Sequence, residues 1–283
     1  MLQRAGRNQR SKAVLVGAFA LGLGACAGQS VNENPMVPEV RPGVPAGYLA
    51  NDEIPNSLAL LPAPPAAGSA AFAQDEAVSV EARALRNSAR WQQAAEDANL
   101  SFPRAAGTYA CALDVNIDEK DTPRLYTLLR RTLQDAGRAT AGAKNEYKRI
   151  RPFAAFNEST CSPADEAILR NNGSYPSGHT SAGWTWALIL AELAPERSDA
   201  ILARGRSFGE SRLVCNVHWQ SDVLAGRFMA AGVVARLHAN DAFEADMAVA
   251  KAEISAVRAR NLKPTRDCAA ESAALATKVV SAM

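Results

Sequence analysis

Histidine is scarce in this chain of 283 residues, which holds only three, so each one calls for an explanation. Alternation of apolar and polar residues never runs to a useful length, and no internal repeat appears, which argues against a sheet-based or repeat architecture. An excess of one charge is also missing. The 31 Lys and Arg against 29 Asp and Glu leave a net charge of +2, with no basic stripe to follow a polyanion, so nucleic acid is excluded and a small partner is favoured. Past residue 30 no apolar run is long enough to cross a bilayer, which excludes a multi-span membrane protein. The carboxylates form no cluster that suggests a metal cage. The cysteines lack C-x-x-C spacing and have no histidine placed to complete a zinc site, so neither a metal nor another cofactor is expected. What the chain does have is apolar content: 48% hydrophobic against 21% charged, enough for one large core or two at most.

The N-terminal residues carry an export pattern. Arg4, Arg7, Arg10 and Lys12 make a basic n-region and AVLVGAFALGLGA a short h-region, so residues 1–26 read as a signal segment that is removed. Two cleavage patterns compete there. Ala25-Cys26-Ala27 fits a secretory site and gives a soluble periplasmic protein. Leu23-Gly24-Ala25-Cys26 is similar to a bacterial lipobox, with Cys26 lipidated and the protein anchored to the outer membrane; this pattern is preferred, although Gly24 is unusual in it. Both take Cys26 out of the count, by cleavage or by lipidation, and leave Cys111, Cys161, Cys215 and Cys268, an even number that implies two disulfides in an oxidising compartment, with three connectivities open. Residues 27–55, rich in Pro, Asn and Gly, read as an extended tether, and the arm NSLALLPAPPAAGSAAF opens a domain expected over 56–283.

Helical periodicity dominates from Asp75. DEAVSVEARALRNSARWQQAAEDANL is followed by DTPRLYTLLRRTLQDAG, with Leu125, Leu128, Leu129 and Leu133 on one face, and by TSAGWTWALILAELA, which reads as a buried helix ending before Pro195. SDVLAGRFMAAGVVARLHAN and DAFEADMAVAKAEISAVRARN come next. In the last, Phe243, Met247, Ala250, Ile254 and Val257 recur at spacings of four and three, a stripe that faces a core. The expected fold class is all-α, a single-domain helical bundle.

GSYPSGHT, residues 173–180, stands immediately before the apolar helix and so occupies a helix N-terminus. Pro176 suits the first positions of a helix, and Ser177, Gly178 and His179 then present free N–H groups at the positive end of the dipole, an anion site. On its own the octet is equally an ordinary Pro/Gly turn with a serine cap. Complementary chemistry elsewhere decides between them. KNEYKRIRP upstream supplies Lys144, Lys148, Arg149 and Arg151, and SRLVCNVHWQSD downstream supplies Arg212, His218 and Asp222. Fixed cations and helix amides can neutralise the oxygens of a transferring phosphoryl group without a metal. His218 and Asp222, at i and i+4, can form an oriented imidazole in which Asp222 accepts the Nδ1 proton and leaves Nε2 free to attack phosphorus. His179 is then the acid that protonates the leaving alkoxide and the base that later activates water.

Taken together, these three segments resemble the signature of the type 2 phosphatidic acid phosphatase and vanadium haloperoxidase superfamily. The full octet and NSLALLPAPP resemble the class A bacterial non-specific acid phosphatases in particular, and the likeness covers nearly all of the chain after the tether. Lys144, Arg151 and Pro152, then Pro176, Ser177, Gly178 and His179, then Ser211, Arg212, His218 and Asp222 fill the motif positions in order. The resemblance implies an all-α bundle with its site between helices. It also implies a metal-independent acid phosphatase of broad specificity towards small phosphate esters, acting through a phosphohistidine and open to phosphotransferase side activity. In that family pattern Lys144, Arg151, Ser177, Gly178 and Arg212 hold phosphate, His218 is the nucleophile, Asp222 orients it and His179 is the acid. Members of this class are usually soluble, so the lipobox is a departure. His238 lies outside every motif and is given no role.

Two other readings stand beside this one. A vanadate-dependent haloperoxidase would use the same cradle for vanadate and would oxidise halide. A non-catalytic periplasmic phosphate-binding protein would need no imidazole oriented by a carboxylate, and would not turn over an ester. The motifs flanking Cys161 and Cys215 must converge on one site in any of these readings, which favours that pair and leaves Cys111 with Cys268. Oligomeric state is open, with a homo-oligomer allowed.

Overall fold

The computed structural model describes residues 37–279. The signal segment, the lipobox at Cys26 and residues 27–36 of the expected tether lie outside these residues. A hairpin of β1 (Glu39–Arg41) and β2 (Val44–Pro45) opens the described chain, and α1 (Ser57–Leu60), α2 (Ala70–Arg83) and α3 (Ala89–Asp97) follow. The tether reading does not hold over 44–55. Tyr48 and Leu49 are buried in the main core, and their N–H groups donate to the Asp135 carboxylate at 2.8 and 3.2 Å. An arm with few backbone partners of its own must find them on a neighbouring helix once it is buried. The stretch 75–100 likewise forms two helices rather than one. Asn87 takes a left-handed φ of 65°, and the Ser88 hydroxyl caps α3 by accepting from the Trp91 N–H.

The remaining helices are α4 (Ala110–Leu113), α5 (Pro123–Ala139), α6 (Ala141–Tyr147), α7 (Pro152–Ala155) and α8 (Glu166–Arg170), then α9 (Gly178–Leu193), α10 (Ser198–Val214), α11 (Gln220–Leu237), α12 (Asp241–Ala259) and α13 (Cys268–Leu275). The apolar α9 is the axis, packed by α5, α10, α11 and α12. A helix that is largely apolar buries most of its surface, and α9 does so, with Trp184, Leu188 and Ala191 half-buried and Glu192 exposed on its remaining face. Two glycines set how closely its neighbours come. A Cβ on Gly183 would stand 2.2 Å from the Phe208 ring of α10, and one on Gly226 of α11 would stand 2.6 Å from the Ser177 carbonyl oxygen. The second contact brings the N-termini of α9 and α11 together, and the Ser177 N–H donates to the Asp222 carbonyl at 2.9 Å. The α12 stripe of Phe243, Met247, Ala250, Ile254 and Val257 is buried as its spacing requires.

Helix α10 has no apolar stripe to announce it, yet it is one of the most buried. Asp97 takes both forks of Arg204 at 2.5 and 3.2 Å and the Ser211 hydroxyl at 2.6 Å, while Arg90 donates to Ser211 Oγ and the Ser207 carbonyl at 2.9 and 2.8 Å. Paired in this way, charged side chains can sit inside. Disulfides join Cys111 to Cys268 and Cys161 to Cys215, across separations of 157 and 54 residues. The first carries α13, whose own buried residues are only Glu271 and Ala274. Replacing Cys111 and Cys268 by serine should cost about 2–5 kcal/mol of stability. The corresponding fall in Tm is roughly 5–20 °C. Room-temperature turnover should stay near wild type, because neither cysteine lines the cavity that Lys144, Arg212 and His218 share. Calorimetry beside a rate assay checks this, and an unchanged Tm would show that ion pairs alone hold α13.

Candidate active site

Helix ends supply this site. Lys144 comes from the last turn of α6, Arg151 caps α7, Ser177 caps α9 ahead of Gly178 and His179, Arg212 closes α10, and His218 precedes α11. Lys144, Arg151, Gly178, His179, Arg212 and His218 line one cavity of about 370 Å³. Ser177 and Asp222 are fully buried. Asp222 lies behind His218, 3.2 Å from Nδ1.

The pair is not two residues on one helix face, as the i, i+4 spacing suggests. His218 is outside α11 and Trp219 is its N-cap, so Asp222 at N3 reaches back over the terminus, and its Oδ2 also accepts the Trp219 N–H at 2.9 Å. That position places the carboxylate at the positive end of the helix dipole. The octet also differs from its expected geometry. Pro176 stands just outside the helix, and the Ser177 N–H is taken by the Asp222 carbonyl, leaving Gly178 and His179, at N1 and N2, with N–H groups that lack intrahelical acceptors. Ser177 Oγ accepts from the Thr180 N–H and hydroxyl at 3.2 and 2.9 Å.

The cations are not equivalent. Arg151 spends most of its donors on the protein: Nε on the Leu169 and Asn172 carbonyls, both at 3.0 Å, Nη1 on the Val217 carbonyl at 2.9 Å and on His218 Nε2 at 3.1 Å, and Nη2 on the Gly173 carbonyl at 3.3 Å. Lys144 Nζ donates to the Gly173 carbonyl at 2.8 Å. Arg212 is 1% exposed, and its Nε and Nη1 have no protein partner. Buried unpaired donors of this kind are rare and costly. Ser211 points away from the cavity into the Asp97 network.

Burial depresses each cation, and at Lys144 and Arg212 the charge of Arg151 adds to the effect. Lys144 is pushed down to about 7 by burial and then by Arg151. Burial also takes Arg151 and Arg212 down to about 10. Burial holds both site histidines well below the ordinary imidazole value, reinforced by Arg212 at His179 and by Arg151, Lys144 and Arg212 at His218. Burial raises Asp222, against the lowering effect of Arg149. An arriving anion opposes every one of the cation shifts. His179 Nε2 lies 2.9 Å from the Ala98 carbonyl, which can only accept, so the proton is on Nε2 and Nδ1 is left for a ligand. His238 is remote, paired with Glu244 and Glu192.

Sequence reasoning missed Arg149 as anything beyond one member of a basic cluster, yet its Nη1 is 2.6 Å from Asp222 Oδ1. It also missed Ala98, at the end of α3, for which the sequence carries no signal. Lys148 of the same cluster is exposed. Among the described residues no group of three or more His, Cys, Asp or Glu is arranged to hold a metal ion, and no helix is long and apolar enough to cross a membrane.

Comparison with known proteins gives the family. The model of the PAP2 superfamily matches residues 126–243, the span that holds every motif residue. The non-specific acid phosphatase of Providencia stuartii is 47% identical over 212 residues, 75% of this chain and 86% of the relative. That of Salmonella typhimurium is 44% identical over 205 residues, 72% and 82% of the two chains. The acid phosphatase of Zymomonas mobilis is 42% identical over 201 residues, 71% and 76%. With a matching family model over its site and relatives this close over most of their length, the chain belongs to the PAP2 superfamily.

Proposed function

We propose that the chain is an acid phosphatase that hydrolyses phosphate monoesters without a metal, through a phosphohistidine at His218. The observation that carries this reading is Arg212: a guanidinium 1% exposed at a cavity wall, with Nε and Nη1 unpaired, suits an anion with oxygens in fork geometry. Lys144, the remaining Arg151 N–H, the Ser177 hydroxyl and the Gly178 and His179 amides complete the cradle. His218 Nε2 gives up its contact with Arg151 and attacks phosphorus, forming the N–P bond as the P–O ester bond breaks, and His179 Nδ1 delivers a proton to the departing alkoxide. Water, deprotonated by His179, then attacks phosphorus. The N–P bond breaks, and phosphate leaves with His218 restored.

The alcohol side of the substrate would extend past His179. A second hollow of about 640 Å³ shares His179, Arg212, Leu100 and Leu169 with the cavity. Its walls mix alanines and Ile168 with Asn99, Ser101, Arg104 and Asp165, a lining that selects weakly and supports broad specificity. The paired cysteines favour an exported protein, periplasmic in either cleavage reading and held at the outer membrane if Cys26 is lipidated.

The expected result with pure protein is turnover of p-nitrophenyl phosphate that survives EDTA and is inhibited by vanadate, which mimics the five-coordinate transition state. Activity abolished by EDTA and restored by Mg²⁺ or Zn²⁺ would refute the cation-cradle account. Halide oxidation with added vanadate, in place of ester turnover, would favour the haloperoxidase reading.

A further inference from the structure

We propose that Arg149 and Asp75 are positioning residues for phosphoryl transfer, forming a buried carboxylate–guanidinium–carboxylate chain that fixes the charge and direction of the carboxylate facing His218. This rests on the reading of His218 as nucleophile. Asp75 belongs to α2 and stands outside the span matched by the family model.

The chain of contacts is continuous. Arg149 Nη2 donates to Asp75 Oδ2 at 2.7 Å and Nη1 to Asp222 Oδ1 at 2.6 Å. Ser221 lies between them: its Oγ accepts from Arg149 at 2.7 Å and donates to Asp75 Oδ2 at 2.6 Å, and its N–H donates to Asp75 Oδ1 at 2.8 Å. Asp75 is therefore locked to the first turn of α11 and to Arg149 at once. The guanidinium sits beside the Trp219 and Phe72 rings, 5.4 and 5.9 Å from their centroids. None of its donors reaches the catalytic cavity.

The physical need for it lies in Asp222. A fully buried carboxylate without a cation takes up a proton, and a protonated Asp222 could not hold the Nδ1 proton of His218 or offset the positive charge that develops on the ring during attack. Lys144 also favours its ionised form, and Tyr175 feels its charge, while Arg151, Lys144, Arg212 and His179 act electrostatically on His218. Arg149 is the only one of these groups bonded to Asp222 through a charged donor among the described residues. Asp75 turns the fork so that one arm, and not both, meets Asp222, which leaves Oδ2 for Trp219 and His218.

Arg149→Met, Arg149→Lys and Asp75→Asn in the full mature chain test the idea with p-nitrophenyl phosphate. Arg149→Met should lower kcat roughly 10- to 100-fold, as loss of an outer partner behind an oriented imidazole does. KM and the inhibition constant of inorganic phosphate should change less than about threefold, since the cradle is untouched. Its acid limb should move to higher pH, because Asp222 without Arg149 holds its proton longer, so activity recovers as pH rises. Arg149→Lys keeps the charge and should keep the wild-type limb with a smaller loss of kcat. Asp75→Asn should lower kcat without moving the limb. A mere structural tie between α2 and α11 would reduce the folded fraction and leave its kcat and pH profile as wild type, and that outcome overturns the proposal, as does a loss carried by KM. Should Arg149→Met not fold, wild-type kcat in the other two variants overturns it equally. An inactive wild type, or an active His218→Ala enzyme, would instead sink the reading of the site itself.

Discussion

His218→Ala should abolish turnover and leave no covalent phosphoryl label, whereas His179→Ala should still be phosphorylated by an ester with a good leaving group and then release phosphate slowly. The asymmetry follows from what each ring touches. His218 has one nitrogen on Asp222 and the other facing the cations, the arrangement of a nucleophile held in one tautomer. His179 lines the cavity with Nε2 on the Ala98 carbonyl, which leaves Nδ1 for a ligand, as the proposed proton carrier requires. A leaving group such as p-nitrophenolate needs no proton, so the first step survives without His179; the second step still needs a base for water. Burial and the surrounding cations hold His218 well below the ordinary imidazole value, so it stays neutral into acid solution. Burial and then Arg212 hold His179 low as well, and a bound phosphate dianion pushes it back up by offsetting Arg212. The rate should therefore fall on the alkaline side as His179 loses its proton and on the acid side as His218 and Asp222 gain theirs, a bell centred below neutrality. Rapid quench with mass spectrometry and a pH profile of kcat check this. A phosphoryl group trapped on another residue would overturn the assignment.

The second large effect concerns Arg212. Arg212→Ala should cost on the order of 3 kcal/mol of transition-state stabilisation, roughly a hundredfold or more in rate, by analogy with other oxyanion donors. Arg212→Lys should also be poor, because an ammonium cannot make the planar fork. Stability should behave differently from activity. Arg212 makes no hydrogen bond to the protein through Nε or Nη1, and burial and then Arg151 work against its charged form, so its removal relieves that cost in the fold. Tm should be equal to or above that of wild type while kcat/KM collapses. A fall in both together would show that Arg212 is structural.

Much of the site was legible because its residues are close in sequence to helix termini that the sequence announces. Pro176 with Ser177 marks the start of α9, and Lys144 and Arg151 stand on either side of the break at Lys148, which takes a left-handed φ of 41°. Helix α12 was readable from its stripe. Helix α10 was not, since Arg204 and Ser207 look like surface residues until Asp97 and Arg90 are brought to them from α3.

The sequence by itself determined the helical class, the apolar axis at α9 and the chemical types in the site, and the motifs around Cys161 and Cys215 favoured one cysteine pairing of three, the one the structure shows. These are local or periodic properties, written within a few residues of one another. Only the tertiary structure decided that Asp222 approaches His218 across a helix terminus, that the Ser177 amide is already taken, that Tyr48 and Leu49 are tied to α5, and that Asp75 and Ala98 stand behind the two histidines. Each of these depends on the partner a buried polar group finds from a distant segment, and a buried group must find one wherever the packing of the helices brings it.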